Sequence, residues 1–190
     1  MAAVLGAGMP RLATTLVLGG ARSGKSRHAE MLVAASGLER IYLATGAAGD
    51  AEMAERIAHH REARGPGWQT VEEPLDLMGA LACEAAPGRA ILVDCLTLWL
   101  SNLMLAEGNI PEAIAGLCKS LNALPCPVVL VSNEVGMGLV PETPLGRRFR
   151  DAQGRLNQAV AAAVPDVVFV AAGLPLILKR AGTAPYRSTP

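Results

Sequence analysis

Aromatic residues are scarce in this 190-residue chain: Phe, Trp and Tyr together make up 3% of it. A core with so few rings has to be built from alanine, leucine and valine. Hydrophobic residues reach 51% and charged residues only 18%, so the shortage of rings does not signal disorder. Net charge is missing too. The 17 Lys and Arg balance 17 Asp and Glu, which removes the basic field that would recruit nucleic acid or anionic lipid; anion binding has to be local. The four cysteines, Cys83, Cys95, Cys118 and Cys126, form no C-x-x-C pair and have no accompanying histidine spacing. That argues against a structural zinc site or a thioredoxin-like motif and predicts buried free thiols in a reducing compartment. Long apolar runs are absent as well. The stretches 91–106 and 159–178 are broken by Asp94, and by Pro165, Asp166 and Pro175, so neither reaches the roughly 18 apolar residues of a membrane span. The opening MAAVLGAGMPRL lacks the basic region of a secretory leader and runs straight into a strand. Residues 1–13 are therefore expected to be a ragged terminus, residues 14–180 one domain, 181–190 a loose tail, and the protein cytoplasmic.

What is present alternates. The continuously apolar runs TTLVLGG (14–20), RIYLATG (40–46), RAILVDC (89–95), PVVLVSN (127–133) and DVVFVAAG (166–173) suit strands buried on both faces of a parallel sheet. Between them the pattern predicts helices over 25–36, 51–64, 75–86, 96–106, 111–123 and 145–163, with a smaller β piece near 68–72. The expected fold is α/β, a mostly parallel sheet with helices on both faces.

The first run ends in Gly19, Gly20, Ala21, Arg22, Ser23, Gly24, Lys25 and Ser26, which satisfies G-x-x-x-x-G-K-[ST] between a strand and a helix. The glycines let backbone N–H groups turn inward around phosphate oxygens, Lys25 reaches the β- and γ-phosphates, and the Ser26 hydroxyl ligates Mg²⁺. Such a loop expects an acidic partner at the end of a buried strand, and Asp94 closes RAILVDC, where it could hold the metal directly or through water.

The stretch AERIAHHREARGPGWQT (54–70) sets two adjacent histidines among three arginines. On a helix turning about 100° per residue, Met53, Ile57, His60 and Arg64 share one sector with Arg56 at its edge, and His59 projects about 100° away. Asp50 suits the N-cap and Glu52 the first turn. His60 reads in two ways. It is a satisfied core histidine, or it is an imidazole held neutral by the flanking positive charges and placed to attack a phosphate that the arginines bind. Spacing alone leaves both open.

Further on, VSNEVGMGLVP (131–141) leaves a strand with an amide and a carboxylate, Asn133 and Glu134, at the end where open α/β sheets collect ligands. An ordinary loop turning on Gly136 and Gly138 is the alternative. Glu134 is a candidate to orient or deprotonate an acceptor hydroxyl. Arg147, Arg148 and Arg150 read mainly as solvated. Trp99, Met137 and Leu139 read as core side chains, with contact to a large ring substrate as the other role.

Taken together, GGARSGKSRHAE, DAEMAERIAHHREARGPGWQTVEEP, ILVDCLTLWLSNLM and VVLVSNEVGMGLVPETPLGRRFRDAQGRLNQ resemble one family. It is the bifunctional adenosylcobinamide kinase / adenosylcobinamide-phosphate guanylyltransferase family of cobalamin biosynthesis, and the likeness runs from about residue 14 to 180. The resemblance implies a RecA-like P-loop domain that works as a homo-oligomer. It implies a kinase step on the aminopropanol hydroxyl of adenosylcobinamide, with ATP or GTP. A second step then moves GMP from GTP through a guanylylated histidine to adenosylcobinamide phosphate. In the pattern R-I-x-x-H-x-x-x-R the nucleophile falls on His60. Nucleotide contacts are implied at Gly19–Ser26, at Ala44, Thr45 and Gly46, at Arg61, Glu62, Ala63 and Arg64, and at Glu72 and Asp94; the family often has Glu where Asp94 stands. The competing readings are a plain P-loop kinase and a GTP-binding switch. The absence of an Asn-Lys-x-Asp guanine motif weighs against the switch.

Overall fold

The computed structural model describes residues 12–46 and 65–182. Seven strands form one sheet in the order β3-β2-β4-β5-β1-β6-β7. They are β1 (Thr15–Gly19), β2 (Glu39–Ala44), β3 (Trp68–Glu72), β4 (Arg89–Asp94), β5 (Val128–Asn133), β6 (Asp166–Ala171) and β7 (Leu174–Lys179). All pairings are parallel except β6 with β7. The helices are α1 (Lys25–Ala35), α2 (Leu77–Glu84), α3 (Leu96–Leu105), α4 (Ile110–Leu121) and α5 (Pro144–Ala163).

Alternation along each strand splits the core in two. Leu16, Leu18, Ile41, Leu43, Ile91, Val93, Val128 and Leu130 face one way and meet α2, α3, α4 and α5. Val17, Tyr42, Leu92, Val129, Val131, Val168 and Val170 face the other way and meet Ala29 and Val33 of α1. Trp99, Leu16, Ile41, Leu43, Leu92 and Leu130 are among the largest fully buried side chains. Each such aliphatic chain contributes about 1.5–3 kcal/mol when removed from water.

Helix starts follow local chemistry. Asp76 Oδ1 accepts from the Gly79 N–H and Thr143 Oγ1 from the Gly146 N–H, each satisfying an otherwise orphaned first-turn donor. Pro111 and Pro144 occupy first-turn positions where no N–H is needed.

Three features depart from the sequence reading. The last strand ends at Ala171, and a two-residue turn (Ala172 φ 52°, Gly173 φ 78°) sends the chain back as β7. That is the left-handed turn geometry that suits the twist of a hairpin. Periodicity missed β7 because LPLILK is continuously apolar yet lies exposed on a sheet edge: Leu174 is 73% and Leu176 60% exposed. The thiols also differ. Cys95 and Cys126 are buried, but Cys83 is exposed and Cys118 half-buried. Finally, Trp99 is core, whereas Met137 is 81% and Leu139 97% exposed.

Candidate active site

Strand order creates the crevice. The chain leaves β1 into α1 on one face and leaves β5 toward α5 on the other, so the loops diverge above the β1–β5 pair. Ligands of open parallel sheets settle at such switch points, outside the carboxyl ends of the strands. Gly19 of β1 stands beside Asn133 of β5 there, and the Glu134 N–H donates to the Gly19 carbonyl at 3.1 Å.

The loop from Gly19 to Ser26 is fixed by sterics and by the β6–β7 turn. A Cβ on Gly19 would lie 2.5 Å from the Val170 carbonyl oxygen and 2.5 Å from Ser23 Oγ, so no side chain fits. Gly24 has φ 92°, a conformation that costs other residues about 1–2 kcal/mol. The Gly173 N–H donates to the Ser23 carbonyl at 2.8 Å, tying the hairpin turn to the loop. Lys25 Nζ donates to the Gly20 carbonyl at 3.2 Å across the loop, and Ser26 follows it in the first turn of α1. Ser23 Oγ is buried with no hydrogen-bond partner, an orphaned polar atom lining the cradle.

Beside it, β4 ends in Asp94, whose Oδ2 accepts from the Tyr42 hydroxyl at 3.2 Å. Tyr42 is itself held edge-on against Trp68, ring centroids 6.2 Å apart. Ala44 and Glu72 are register partners of this strand end, Ala44 with Asp94 and with Glu72, so the nucleotide-site candidates of β2, β3 and β4 lie in one row. Thr45 is fully buried. Its hydroxyl donates to the Cys95 carbonyl at 2.7 Å and accepts from the Cys95 N–H at 2.9 Å, which staples the end of β2 to the end of β4. Asn102 of α3 secures the same corner, its Nδ2 donating to the carbonyls of Thr45 and Pro74.

Burial, and next the Asp94 charge, push the Cys95 thiol up from 9.0 to about 11; the start of α3 and Lys25 pull the other way. On unfolding this thiol ionises near 9.0 while the native state keeps its proton to about 11, so native stability falls as pH rises through that window. Alkylation near neutral pH is therefore expected to modify exposed Cys83 first and Cys95 only after unfolding, readable by peptide mass mapping.

On the other side of the loop the turn that follows β5 is pinned by α3 and α5. The Asn133 N–H donates to Thr97 Oγ1 of α3 (2.8 Å), and its carbonyl accepts from Asn157 Nδ2 of α5 (3.1 Å). Asn157 Oδ1 accepts from the Ser132 hydroxyl (2.6 Å) and from Gln153 Nε2 (3.0 Å); Gln153 Nε2 also donates to Ser132 Oγ (2.9 Å). Ser132, Gln153 and Asn157 are all buried, and a buried polar network of this kind fixes its members only because nearly every group is paired. Glu134 turns one carboxylate oxygen onto the Gly136 N–H, and Asn133 Oδ1 is left buried without a partner. Sequence reading missed Thr97, Gln153 and Asn157. The available signal was in RDAQGRLNQ, where Gln153 and Asn157 sit one helical turn apart beside Leu156 and Val160, on the face that packs inward.

The profile of the family described as "Cobinamide kinase / cobinamide phosphate guanyltransferase" matches residues 15–178. The chain belongs to that family. A bifunctional adenosylcobalamin biosynthesis protein, CobP of Pseudomonas aeruginosa, is 52% identical over 168 residues, covering 86% of this chain and 96% of the relative. The corresponding CobU protein of Salmonella typhimurium is 42% identical over 179 residues, covering 86% and 98%. Among solved structures, a Pyrococcus horikoshii protein (TM-score 0.57, 12% identity) covers 94% of this chain and 95% of its own. An ATPase of the type III secretion system of pathogenic bacteria (TM-score 0.55, 15% identity) covers 87% of this chain and 56% of its own. Those likenesses concern the fold, which is that of the RecA-like P-loop NTPases.

Gly19–Ser26 follow β1, Asn133–Glu134 close β5, Asp94 closes β4 and Ala44 closes β2, so these sequence-predicted residues lie along the carboxyl ends of four neighbouring strands. Glu72 reaches the same end of the sheet from edge strand β3. Thr45 stands at the end of β2, its hydroxyl engaged by Cys95 in both directions. Arg147 reaches back to the carbonyls of Pro141 and Glu142 and holds the loop after Glu134; Arg150 lies 3.8 Å from Asp151. His60 and the run Arg61, Glu62, Ala63 and Arg64 lie outside the described residues, as do His59 and the helix expected over 51–64.

Proposed function

We propose that this enzyme phosphorylates the aminopropanol hydroxyl of adenosylcobinamide and then converts the phosphate to adenosylcobinamide-GDP, with His60 as the covalent carrier of GMP. The observation that carries this reading is the convergence of the P-loop, Asp94 and the Asn133–Glu134 turn at one crevice in a chain of the cobinamide kinase family.

In the first step the acceptor hydroxyl attacks the γ-phosphorus of ATP or GTP, the bond to the β-phosphate oxygen breaks, and the hydroxyl proton leaves toward Glu134. Lys25 and the loop N–H groups hold the phosphates and offset charge gathering on the leaving oxygen. In the second step a ring nitrogen of His60 attacks the α-phosphorus of GTP and pyrophosphate departs. A phosphate oxygen of the acceptor then attacks the same phosphorus and the N–P bond breaks, releasing the neutral imidazole. Splitting one displacement into two lets a positioned nucleophile serve each half.

Among the described residues no cluster of three or more His, Cys, Asp or Glu forms a metal cage. The donor set near the loop, one hydroxyl at Ser26 and one carboxylate at Asp94, suits Mg²⁺, which prefers few protein oxygens plus substrate phosphates. When bound, that ion would offset phosphate charge. No helix among the described residues is long and apolar enough to cross a membrane. The exposed apolar edge of β7 and the lone apolar tips Met137 and Leu139 support contact between copies and with a corrin ring, respectively. A homo-oligomer acting in the cytoplasm on adenosylcobinamide and its phosphate, with no nucleic-acid partner, completes the reading.

Parallel incubations with γ-labelled and α-labelled GTP test it. The expected result is γ-label on cobinamide, an acid-labile α-label on the protein, and chase of that α-label by cobinamide phosphate. Label on cobinamide with none on the protein would leave a plain kinase.

A further inference from the structure

Beneath α5 runs a cleft of about 440 Å³ that begins at Glu134 and ends at Lys179. Its floor is apolar: Leu18, Val167 and Leu178. Gly154, Asn157, Gln158 and Ala161 line the wall at positions i, i+3, i+4 and i+7 of α5, one helix face. Two observations say what it takes.

The first is electrostatic. Lys179 is the one cation in the lining, and its ammonium donates to the carbonyls of Ala161 (2.9 Å), Ala162 (3.2 Å) and Val164 (2.6 Å). Those acceptors engage all three of its N–H groups, so it caps the C-terminal end of α5 and offers nothing to a ligand. Glu134 is the remaining charge. The cleft therefore disfavours phosphate and nucleotide. It suits a neutral or cationic body with apolar faces and with amide or hydroxyl groups, for which the exposed Gln158 amide supplies a donor and an acceptor.

The second is Gly154. Glycine inside a helix costs about 1 kcal/mol relative to alanine. Here a Cβ would meet nothing within 4 Å, so no packing within the described residues requires its absence. A bare backbone that lines a cleft and that nothing in the fold demands fits close approach by a bound molecule.

We propose that this cleft holds the acceptor, with the corrinoid's amide-bearing edge along α5 and its reacting arm directed past Glu134 to the P-loop. The Glu134 N–H to Gly19 carbonyl bond makes the two sites contiguous. The proposal rests on the functional reading above and adds the place and chemistry of acceptor recognition, with Gly154 and Gln158 as specificity determinants.

Steady-state kinase assays with cobinamide varied at saturating nucleotide test it in Gly154→Ala, Gly154→Leu and Gln158→Ala. Gly154→Leu is expected to raise the cobinamide KM about tenfold or more while the nucleotide KM stays unchanged. Gly154→Ala keeps the fold secure: it should raise Tm by about 2–4 °C and still raise the cobinamide KM. Unchanged cobinamide KM in both Gly154 variants overturns the proposal. So does an altered oligomeric state by light scattering with KM unchanged, which would assign the cleft to a second copy. Wild-type enzyme inert toward cobinamide would instead sink the functional reading, so the two failures are distinguishable.

Discussion

Lys25→Ala is expected to lower kcat/KM for cobinamide phosphorylation about 10²–10³-fold, the range seen when one preorganised charge is removed from a developing oxyanion. The magnitude follows from where the ammonium sits. It reaches across the loop to the Gly20 carbonyl, a contact that costs little to lose, so its main partners are phosphates. Thermal stability of the variant should stay close to wild type, since no ion pair of Lys25 braces the fold among the described residues. Lys25→Arg should recover little activity, because a planar fork replaces a compact point charge. Formation of the α-phosphate adduct should fall as well, because the described residues contain a single such loop. A variant with unimpaired kinase turnover and full nucleotide affinity by calorimetry would remove the P-loop from the chemistry.

How much of this was legible beforehand depends on the length scale of each signal. The P-loop was legible because its function is local: eight consecutive residues between a strand and a helix set the backbone geometry, and Gly19 and Gly24 occupy positions that a side chain would block or strain. The inner parallel strands were legible because both of their faces are buried, which leaves runs of Ile, Leu and Val; β3, a parallel edge strand of sequence WQTVE, is not buried in this way. The same rule failed at β7, where an equally apolar run lies at an edge, because composition does not say what covers a strand. Trp99 was placed in the core correctly, and its Nε1 donates to the Leu75 carbonyl, the partner a buried indole needs. Met137 and Leu139 were not: the Gly136–Gly138 loop turns them outward. The support of the Asn133–Glu134 turn was illegible for a different reason. Asn133 is bonded to Thr97 and Asn157, 36 and 24 residues away in sequence, and spacing rules do not span such distances. The bracing of Cys95 by the Thr45 hydroxyl was equally out of reach, since the two residues lie 50 apart in sequence.

His60→Ala is expected to abolish the α-phosphate adduct and lower guanylyl transfer about 10⁴-fold or more, the scale of losing a covalent nucleophile, while leaving kinase turnover within a few-fold of wild type. His59→Ala is expected to keep both activities. The contrast comes from helical geometry: on the helix expected over 51–64, neighbouring residues diverge by about 100°, so only one of the two imidazoles shares a face with Met53, Ile57 and Arg64. In sequence, Arg56 and Arg64 stand four residues before and after His60, the spacing that on the expected helix would set a guanidinium on each side of its imidazole. His59 lacks that flanking at equal spacing. Intact-mass measurement after incubation with GTP reads the adduct directly, and release by cobinamide phosphate shows that it lies on the reaction path. Loss of the adduct in His59→Ala with retention in His60→Ala would move the nucleophile one residue and invert the inward face of the helix. Loss in both with kinase activity intact would mean that the pair acts through phosphate binding, leaving the covalent step to another residue.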